Sequence, residues 1–454
     1  MRAGRAIVAV LCAAALSLTA TAPAAATPRG DASHAGIEAA HAVPAFADDP
    51  DDPVREAEYW LDSLGVREAW ETTRGAGQTI AIIDTGIGAG PPEFDGAVAG
   101  GTDVSGAGTP DGRTPVGALD SNHGSWVASL AAARGTGDGE GMVGVAPEAS
   151  LLSVSVGFGG AAQTPFVEQV ADGIRWAVDN GATVINLSFT TNTLDWDPLW
   201  DDAFEYAYDN DVVVVVAAGN RGSGTTRVGA PATIPGVLTV AGVDPDGTAS
   251  VDASTQGITI GVSAPSEDLL GVSADGRIVR WSGTSGAAPI VAGIAALVRS
   301  AHPGADVANV INRLVETAAP APDQSDRPDP LYGYGIVDAA AAVSGSVPQV
   351  TENPMGSLAE WIRIYRRAEV NPEPEQTTEE VVIPELPPRE GPTRGDSALL
   401  PSEDSLRYGT LPLVATTVAG ILVALGVTAA ARFARSTRAS RTPDRTTAKE
   451  SPSS

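Results

Sequence analysis

A carboxylate and an amide each follow an apolar run that predicts a buried strand. Asp84 comes directly after Thr79–Ile83, and Asn220 comes shortly after Val212–Ala217. Functional groups of open α/β sheets gather beyond the carboxyl ends of the strands, and an amide placed there can donate a hydrogen bond to an oxyanion. Both residue types are also common in turns, so each position alone fits a functional or a structural role.

A histidine and a serine stand at the start of two predicted helices. His123 precedes the helix-forming run Val127–Ala133, and because the chain has only four histidines and the others are less suitably placed, it is the candidate general base. Ser285 precedes the apolar run Ile290–Val298. Backbone N–H groups at a helix start favour negative charge, which suits an oxyanion developing on a substrate carbonyl. A structural histidine and an ordinary serine N-cap are the alternative interpretations.

Short apolar runs alternate with helical patterns over residues 59–344. Further runs of strand length are Leu151–Val156, Thr183–Leu187 and Leu238–Val243. This alternation predicts an α/β fold in which helices flank a mainly parallel sheet.

Four motifs in this region resemble those of the subtilisin-like serine peptidases, or subtilases. They are, in chain order, Asp84-Thr85-Gly86, His123-Gly124-Ser125-Trp126-Val127-Ala128, Ala217-Ala218-Gly219-Asn220 and Gly283-Thr284-Ser285-Gly286-Ala287-Ala288-Pro289. The resemblance covers residues 59 to about 344. It implies the three-layer subtilisin-like fold and the activity of a serine endopeptidase acting on proteins or peptides.

The resemblance also implies a role for each residue of the site. Ser285 is expected to attack the peptide carbonyl and form an acyl-enzyme, His123 to act as the general base, and Asp84 to orient the imidazole. Asn220 and the backbone N–H of Ser285 are expected to bind the oxyanion. The expected substrate-binding residues are Ser188, Phe189, Ala217, Ala218 and Gly219. The chemistry requires no metal or other cofactor. Many relatives hold structural calcium, but this sequence offers no loop specific enough to name ligands.

Three positions depart from the family's motifs. Ser125 stands where threonine is usual and keeps the hydroxyl, and Gly286 replaces a larger residue after the serine. Thr190 stands where relatives often have glycine, so its side chain is expected to narrow the strand that pairs with substrate. The sequence therefore leaves the cleavage specificity open.

Composition divides the chain into segments. Residues 1–26 combine two arginines, an apolar run and three small residues, in the order of a secretory signal. Residues 408–431 carry no charge and would span about 36 Å as a helix, enough to cross a bilayer. The expected organisation is a signal peptide (1–26), a flexible N-terminal extension (27–57), a peptidase domain (58–345), a Pro/Glu-rich linker (346–407), a transmembrane helix (408–431) and a basic cytoplasmic tail (432–454).

Charge and cysteine content exclude several classes of protein. The formal charge of −28 includes +2 from the signal and +4 from residues 432–454, so the exported part carries about −34, which argues against a nucleic-acid partner. The single cysteine, Cys12, lies in the signal. The mature chain is therefore expected to have no disulfide, no cysteine nucleophile and no thiolate metal site.

The combination of a signal, a short extension, a Pro-rich linker and a membrane helix resembles the mycosins, the membrane-anchored subtilases associated with type VII secretion. This resemblance implies a single-pass protein of the cytoplasmic membrane whose catalytic domain lies outside and whose partner is a secretion complex. Two alternatives stay open. One is a scaffold that stabilises such a complex without needing proteolysis, and the other is a general cell-surface protease.

Overall fold

The computed structural model describes residues 41–42, 52–117, 121–137, 139–366 and 411–439. The chain divides into two compact units, Met1–Pro372 and Glu373–Ser454. The expected signal peptide and most of the N-terminal extension lie outside the described residues, as do the linker from residue 367 to its end at 407 and the tail beyond residue 439.

A seven-stranded parallel sheet forms the centre of the first unit. The strands of this unit are β1 (His41–Ala42), β2 (Thr79–Asp84), β3 (Val98–Asp103), β4 (Ser150–Ser155), β5 (Val184–Leu187), β6 (Val213–Ala217), β7 (Leu238–Val243), β8 (Ile260–Pro265), β9 (Leu269–Val272) and β10 (Ile278–Trp281). The parallel sheet has the order β3-β4-β2-β5-β6-β7-β8, and a small antiparallel sheet has the order β1-β10-β9. The predicted α/β class with a mainly parallel sheet is confirmed.

Helices cover both faces of the parallel sheet. They are α1 (Pro53–Glu56), α2 (Tyr59–Ser63), α3 (Val66–Ala69), α4 (His123–Ala132), α5 (Phe166–Asp179), α6 (Pro198–Asp209), α7 (Thr284–Ala301), α8 (Val307–Glu316), α9 (Ala339–Ser344) and α10 (Leu358–Tyr365), with short 3-10 turns at Pro92–Phe94 and Gly159–Ala161. Successive strand residues point to opposite faces. Ile80 and Ile82 of β2 therefore join the core that includes α4 and α7, whereas Ala81 and Ile83 join the core that includes α5 and α6.

Helix α7 runs through the interior of the unit. Its residues from Thr284 to Arg299 are all buried. The helix carries apolar and small side chains on all of its faces, which is the pattern of a core helix. The N-terminus of α7, which carries Ser285, is thereby fixed by packing along nearly its whole length.

The folded unit continues past residue 345, where the sequence predicted that a linker begins. Leu358 of α10 is 1% exposed. Trp361 stacks on Trp196 with ring centroids 4.5 Å apart. Arg366 Nε lies 2.8 Å from a carboxylate oxygen of Asp201. Residues 346–366 therefore pack against the peptidase region, and only the part of the expected linker beyond residue 366 lies outside the described chain.

The second unit contains one described element, helix α11 (Leu411–Ala439). Its segment Leu413–Ala430 has a mean hydropathy of 2.2, and its side chains are exposed. The other described helix of comparable length and apolarity, α7, is a core helix with 89% of its span buried. The exposed apolar surface of α11 fits a membrane anchor, and it includes residues 411–431 of the span predicted from the sequence.

Candidate active site

A carboxylate and an imidazole form a buried pair at the carboxyl edge of the sheet. Asp84 is the last residue of β2, and His123 is the first residue of α4. Nδ1 of His123 lies 2.8 Å and 2.9 Å from the two carboxylate oxygens of Asp84. His123 is 2% exposed and Asp84 is 0% exposed. An ionised carboxylate can only accept hydrogen bonds, so it holds the proton on Nδ1 and leaves Nε2 as the basic nitrogen.

Backbone contact sets the spacing of this pair. A Cβ atom on Gly124 would lie 2.6 Å from the carbonyl oxygen of Gly86, so the helix that begins with His123 touches the turn that follows Asp84. Gly124 N also donates to Thr85 Oγ1 at 2.8 Å. The distance between imidazole and carboxylate is therefore fixed by main-chain atoms and not only by side-chain rotamers.

Ser285 is the second residue of α7 and is 3% exposed. Its hydroxyl donates to the carbonyl oxygen of Ser188 at 3.0 Å. In return, the hydroxyl of Ser188 donates to the carbonyl oxygen of Ser285 at 2.8 Å. Nε2 of His123 is buried and has no hydrogen-bond partner among the described residues. Of the Asp84, His123 and Ser285 triad expected from the sequence, only Asp84 and His123 are hydrogen-bonded to each other in this conformation. The Ser285 hydroxyl is hydrogen-bonded to the carbonyl oxygen of Ser188 instead.

The amide of Asn220 is oriented by the residue before the serine. Oδ1 of Asn220 accepts from both N and Oγ1 of Thr284, each at 2.8 Å. This leaves the Nδ2 group as the donor of the amide. Gly283 adopts φ +147°, and a Cβ there would lie 2.9 Å from Asn220 Nδ2. A fixed amide donor beside the N-terminus of α7 is the arrangement that stabilises an oxyanion.

The expected substrate-binding residues lie at the ends of two neighbouring strands. Ser188 and Phe189 follow β5, Ala217 ends β6, and Ala218 and Gly219 follow it. β5 and β6 pair in parallel, so these two segments lie side by side. Their binding role stays a prediction.

The Phe189 side chain is buried against two other aromatic rings. Its ring packs 5.8 Å from that of Phe158 and 5.2 Å from that of Phe166, measured between centroids, and it is 3% exposed. The ring is thus part of a hydrophobic core cluster, and the substrate-binding role of Phe189 stays a prediction.

Two tryptophans beside the imidazole were not predicted from the sequence. The His123 ring lies 5.7 Å from Trp281 and 6.4 Å from Trp126, both edge to face. The indoles are held in turn, because Trp126 donates to Ser273 Oγ at 2.9 Å and Trp281 donates to the carbonyl oxygen of Leu270 at 3.1 Å. Trp126 lies within the motif that begins at His123, and Trp281 lies two residues before the motif that begins at Gly283, which is the one signal that could have indicated them.

No cluster of three or more His, Cys, Asp or Glu side chains suited to a metal ion occurs among the described residues. Calcium ligands can also be backbone oxygens, so the structural calcium considered from the sequence stays a prediction.

Comparison with known proteins agrees with this geometry. Residues 75–335 match the Subtilase family. The chain is 36% identical to the thermophilic serine proteinase of Bacillus sp. (strain AK1) over 282 residues, which cover 61% of this chain and 64% of that protein, less than two thirds of its length. It is 35% identical to mycosin-3 of Mycobacterium tuberculosis over 345 residues, covering 63% and 71% of the two chains.

A solved structure is also similar. The MycP3 protease from the type VII (ESX-3) secretion system superposes with a TM-score of 0.55 at 33% identity and covers 68% of this chain and 92% of its own. The family match spans more than half of the chain and includes the segments that carry Asp84, His123, Asn220 and Ser285. The chain therefore belongs to the subtilase family of serine proteases.

Proposed function

We propose that the protein is a serine endopeptidase in which Ser285, His123 and Asp84 form the catalytic triad. The observation that carries this proposal is the buried pair of His123 and Asp84. The Nε2 atom of His123 has no hydrogen-bond partner among the described residues, and His123 begins α4, the helix that packs beside α7. Buried titratable pairs of this kind are typical of catalytic sites.

The proposed reaction proceeds through an acyl-enzyme in two stages, acylation and deacylation. Oγ of Ser285 attacks the carbonyl carbon of the scissile peptide while His123 Nε2 takes the hydroxyl proton. The oxyanion accepts hydrogen bonds from Asn220 Nδ2 and the backbone N–H of Ser285. His123 then gives the proton to the leaving amine, which departs and leaves an acyl-enzyme ester. Water, activated by the same imidazole, hydrolyses the ester and restores Ser285.

This sequence of steps requires a rotation of the serine side chain. The hydroxyl must leave the carbonyl oxygen of Ser188 and turn towards His123 Nε2 before the attack. Rotation about one Cα–Cβ bond is rapid compared with turnover. Catalytic hydrogen bonds often form only when substrate is bound, and a peptide N–H that pairs with Ser188 would displace the hydroxyl from it.

Covalent labelling tests the proposed triad. A fluorophosphonate probe should label the wild-type protein and should fail to label Ser285→Ala, while His123→Ala should label far more slowly. Ser300→Ala is the matched control, because Ser300 lies at the opposite end of the same helix and should leave labelling unchanged. Persistent labelling or peptide cleavage by Ser285→Ala would show that another residue is the nucleophile.

We further propose that the protease is anchored in the cytoplasmic membrane by α11, with its catalytic domain outside, and that it processes secreted proteins as part of type VII secretion. Similarity to mycosin-3 and to MycP3 supports this role, and the exposed apolar helix supports the anchor. The test is complementation of a deletion strain with Ser285→Ala.

The complementation experiment has three informative outcomes. Loss of both cleavage and secretion would support a protease that secretion requires. Loss of cleavage with normal secretion would favour the scaffold, in which proteolysis is dispensable. Normal secretion by the deletion strain itself would favour a general cell-surface protease.

A further inference from the structure

The N-terminus of α7 lies between two strand ends that would flank a bound peptide. Ser188, beyond β5, accepts the Ser285 hydroxyl at 3.0 Å. Gly219, beyond β6, donates its N–H to Thr284 Oγ1 at 3.0 Å. Consider a bound peptide whose scissile carbonyl carbon lies against Ser285 Oγ and whose carbonyl oxygen faces Asn220. The side chain of the substrate residue that carries this carbonyl then enters the gap between the two strand ends. We call this substrate residue the acyl residue.

Two threonine methyl groups occupy the side of this gap formed by Gly219. A Cβ atom built on Gly219 would lie 2.7 Å from Cγ2 of Thr190 and 2.6 Å from Cγ2 of Thr225. Both methyl groups therefore already contact the Gly219 backbone. Thr190 and Thr225 are 5% and 2% exposed, so their side chains are packed in place and do not extend into solvent.

Hydrogen bonds hold the Thr190 side chain and the Thr225 backbone in this position. Oγ1 of Thr190 donates to the carbonyl oxygen of Gly229 at 2.9 Å. Thr225 N donates to the carbonyl oxygen of Asn220 at 3.0 Å. Rotation of the Thr190 side chain out of the gap would break its hydrogen bond to Gly229, which is unfavourable in a buried site. The gap therefore cannot widen through a change of the Thr190 rotamer without that loss.

The backbone of Gly229 lies beside the Thr190 side chain. A Cβ atom on Gly229 would lie only 1.8 Å from the carbonyl oxygen of Thr191, so this backbone lies directly against the chain that follows β5. This close backbone packing restricts any shift of Thr190, so the two methyl groups leave little room for a substrate side chain.

We infer that the protease cleaves after residues with small side chains, glycine, alanine or serine, and that Thr190 and Thr225 set this specificity. The inference rests on the proposed endopeptidase function. A leucine or phenylalanine side chain at the acyl residue would have to displace buried methyl groups, and overpacking of that kind is unfavourable. The expected preference for alanine over phenylalanine is about 10²-fold or more in kcat/KM, as for other pockets that discriminate by size.

Matched peptides test this inference on the full-length protein extracted from membranes in mild detergent. Internally quenched peptides that differ only in the acyl residue, alanine, leucine or phenylalanine, should be built on a site found by digesting a proteome-derived peptide library. The active enzyme is counted by fluorophosphonate labelling. The double variant Thr190→Ser, Thr225→Ser removes both methyl groups and keeps both hydroxyls, and it should lower the alanine-to-phenylalanine ratio by about tenfold or more.

A neighbouring threonine supplies the matched control. Thr191→Ser also removes one methyl group, but the Thr191 hydroxyl bonds to Thr193 Oγ1 on the exposed side of the chain, so the ratio should not change. Equal cleavage after alanine and phenylalanine by the labelled wild-type enzyme would overturn the inference and leave the proposed function intact. An unchanged alanine-to-phenylalanine ratio in the labelled double variant would show that Thr190 and Thr225 do not determine the specificity. Absence of labelling and of all cleavage would instead overturn the proposed function.

Discussion

Replacement of Glu58 by glutamine should make the protein more stable at neutral and alkaline pH. Glu58 lies between α1 and α2 and is fully buried. One carboxyl oxygen accepts from Val143 N at 2.6 Å, and the other is buried without a partner. Burial raises the pKa of Glu58 from 4.5 to about 8, against the opposing effects of the Val143 N–H and of Arg55 and Arg67. Asp52 adds a smaller rise.

The sign and size of the effect follow from this pKa. Between pH 4.5 and about 8 the unfolded chain loses the Glu58 proton while the folded chain keeps it, so the free energy of unfolding falls as pH rises. At about 1.4 kcal/mol for each tenfold change in proton affinity, the full difference is roughly 5 kcal/mol above pH 8, and about 3 kcal/mol is present at pH 7. Glutamine is neutral, has nearly the same shape and can still accept from Val143. The free energy of unfolding of Glu58→Gln should therefore not fall in this way as pH rises.

The assay is guanidinium unfolding followed by tryptophan fluorescence, in a Ser285→Ala background that prevents autolysis. The difference in unfolding free energy between Glu58→Gln and its parent should be small at pH 5 and should grow by about 3 kcal/mol by pH 8. Glu56→Gln is the control and should give a nearly constant difference, because Glu56 is an exposed glutamate at the end of α1, two residues before Glu58. A difference for Glu58→Gln that is flat, or that shrinks with rising pH, would refute the reasoning.

Three further predictions concern the site and the packed segment after residue 345. Asp84→Asn should lower kcat by about 10⁴-fold because an amide no longer holds His123 in the required tautomer, as steady-state kinetics on fluorophosphonate-titrated enzyme would measure. Asn220→Ala should lower kcat by about 10²- to 10³-fold with little change in KM, measured with the same peptide. Arg366→Met should destabilise the protein by about 3 kcal/mol because it leaves the largely buried Asp201 without its cation, and adding Asp201→Asn should recover part of this loss in the same guanidinium assay.

The central strands could be predicted from the sequence because burial on both faces imposes one simple pattern. All five residues of β6 are buried valine or alanine, and such a run has few other structures available. The edge strand β3 has the mixed sequence Val-Ala-Gly-Gly-Thr-Asp and is only partly buried, so it gave no comparable signal. Helix α10 was also hard to place, because its partner Trp196 is distant in the chain.

The site residues were predictable for a different reason. Asp84, His123 and Ser285 lie in short sequence motifs. The glycines beside Asp84 and His123 are required by close backbone contact, and Gly283 leaves room for the Asn220 side chain, so the same packing explains both the motif and the geometry. Trp281 and Thr225 lie outside these motifs, and their proximity to the site arises from tertiary packing alone. The resting position of the Ser285 hydroxyl on Ser188 is likewise a rotamer choice that no sequence pattern records.

The proposed oxyanion donor, Asn220, and one of the two proposed specificity residues, Thr225, belong to one turn, and this limits how specificity can change. Thr225 N is bonded to the carbonyl oxygen of Asn220, whose side chain is bonded to Thr284 next to the nucleophile. A backbone shift that widened the gap near Gly219 would also move the Asn220 amide away from the oxyanion, and catalysis is sensitive to such displacements. Removal of a methyl group from Thr190 or Thr225 widens the gap without moving the turn that carries Asn220. Broader specificity is therefore most accessible through side-chain substitutions at Thr190 and Thr225, whereas insertions or deletions between Asn220 and Thr225 should reduce turnover for every substrate.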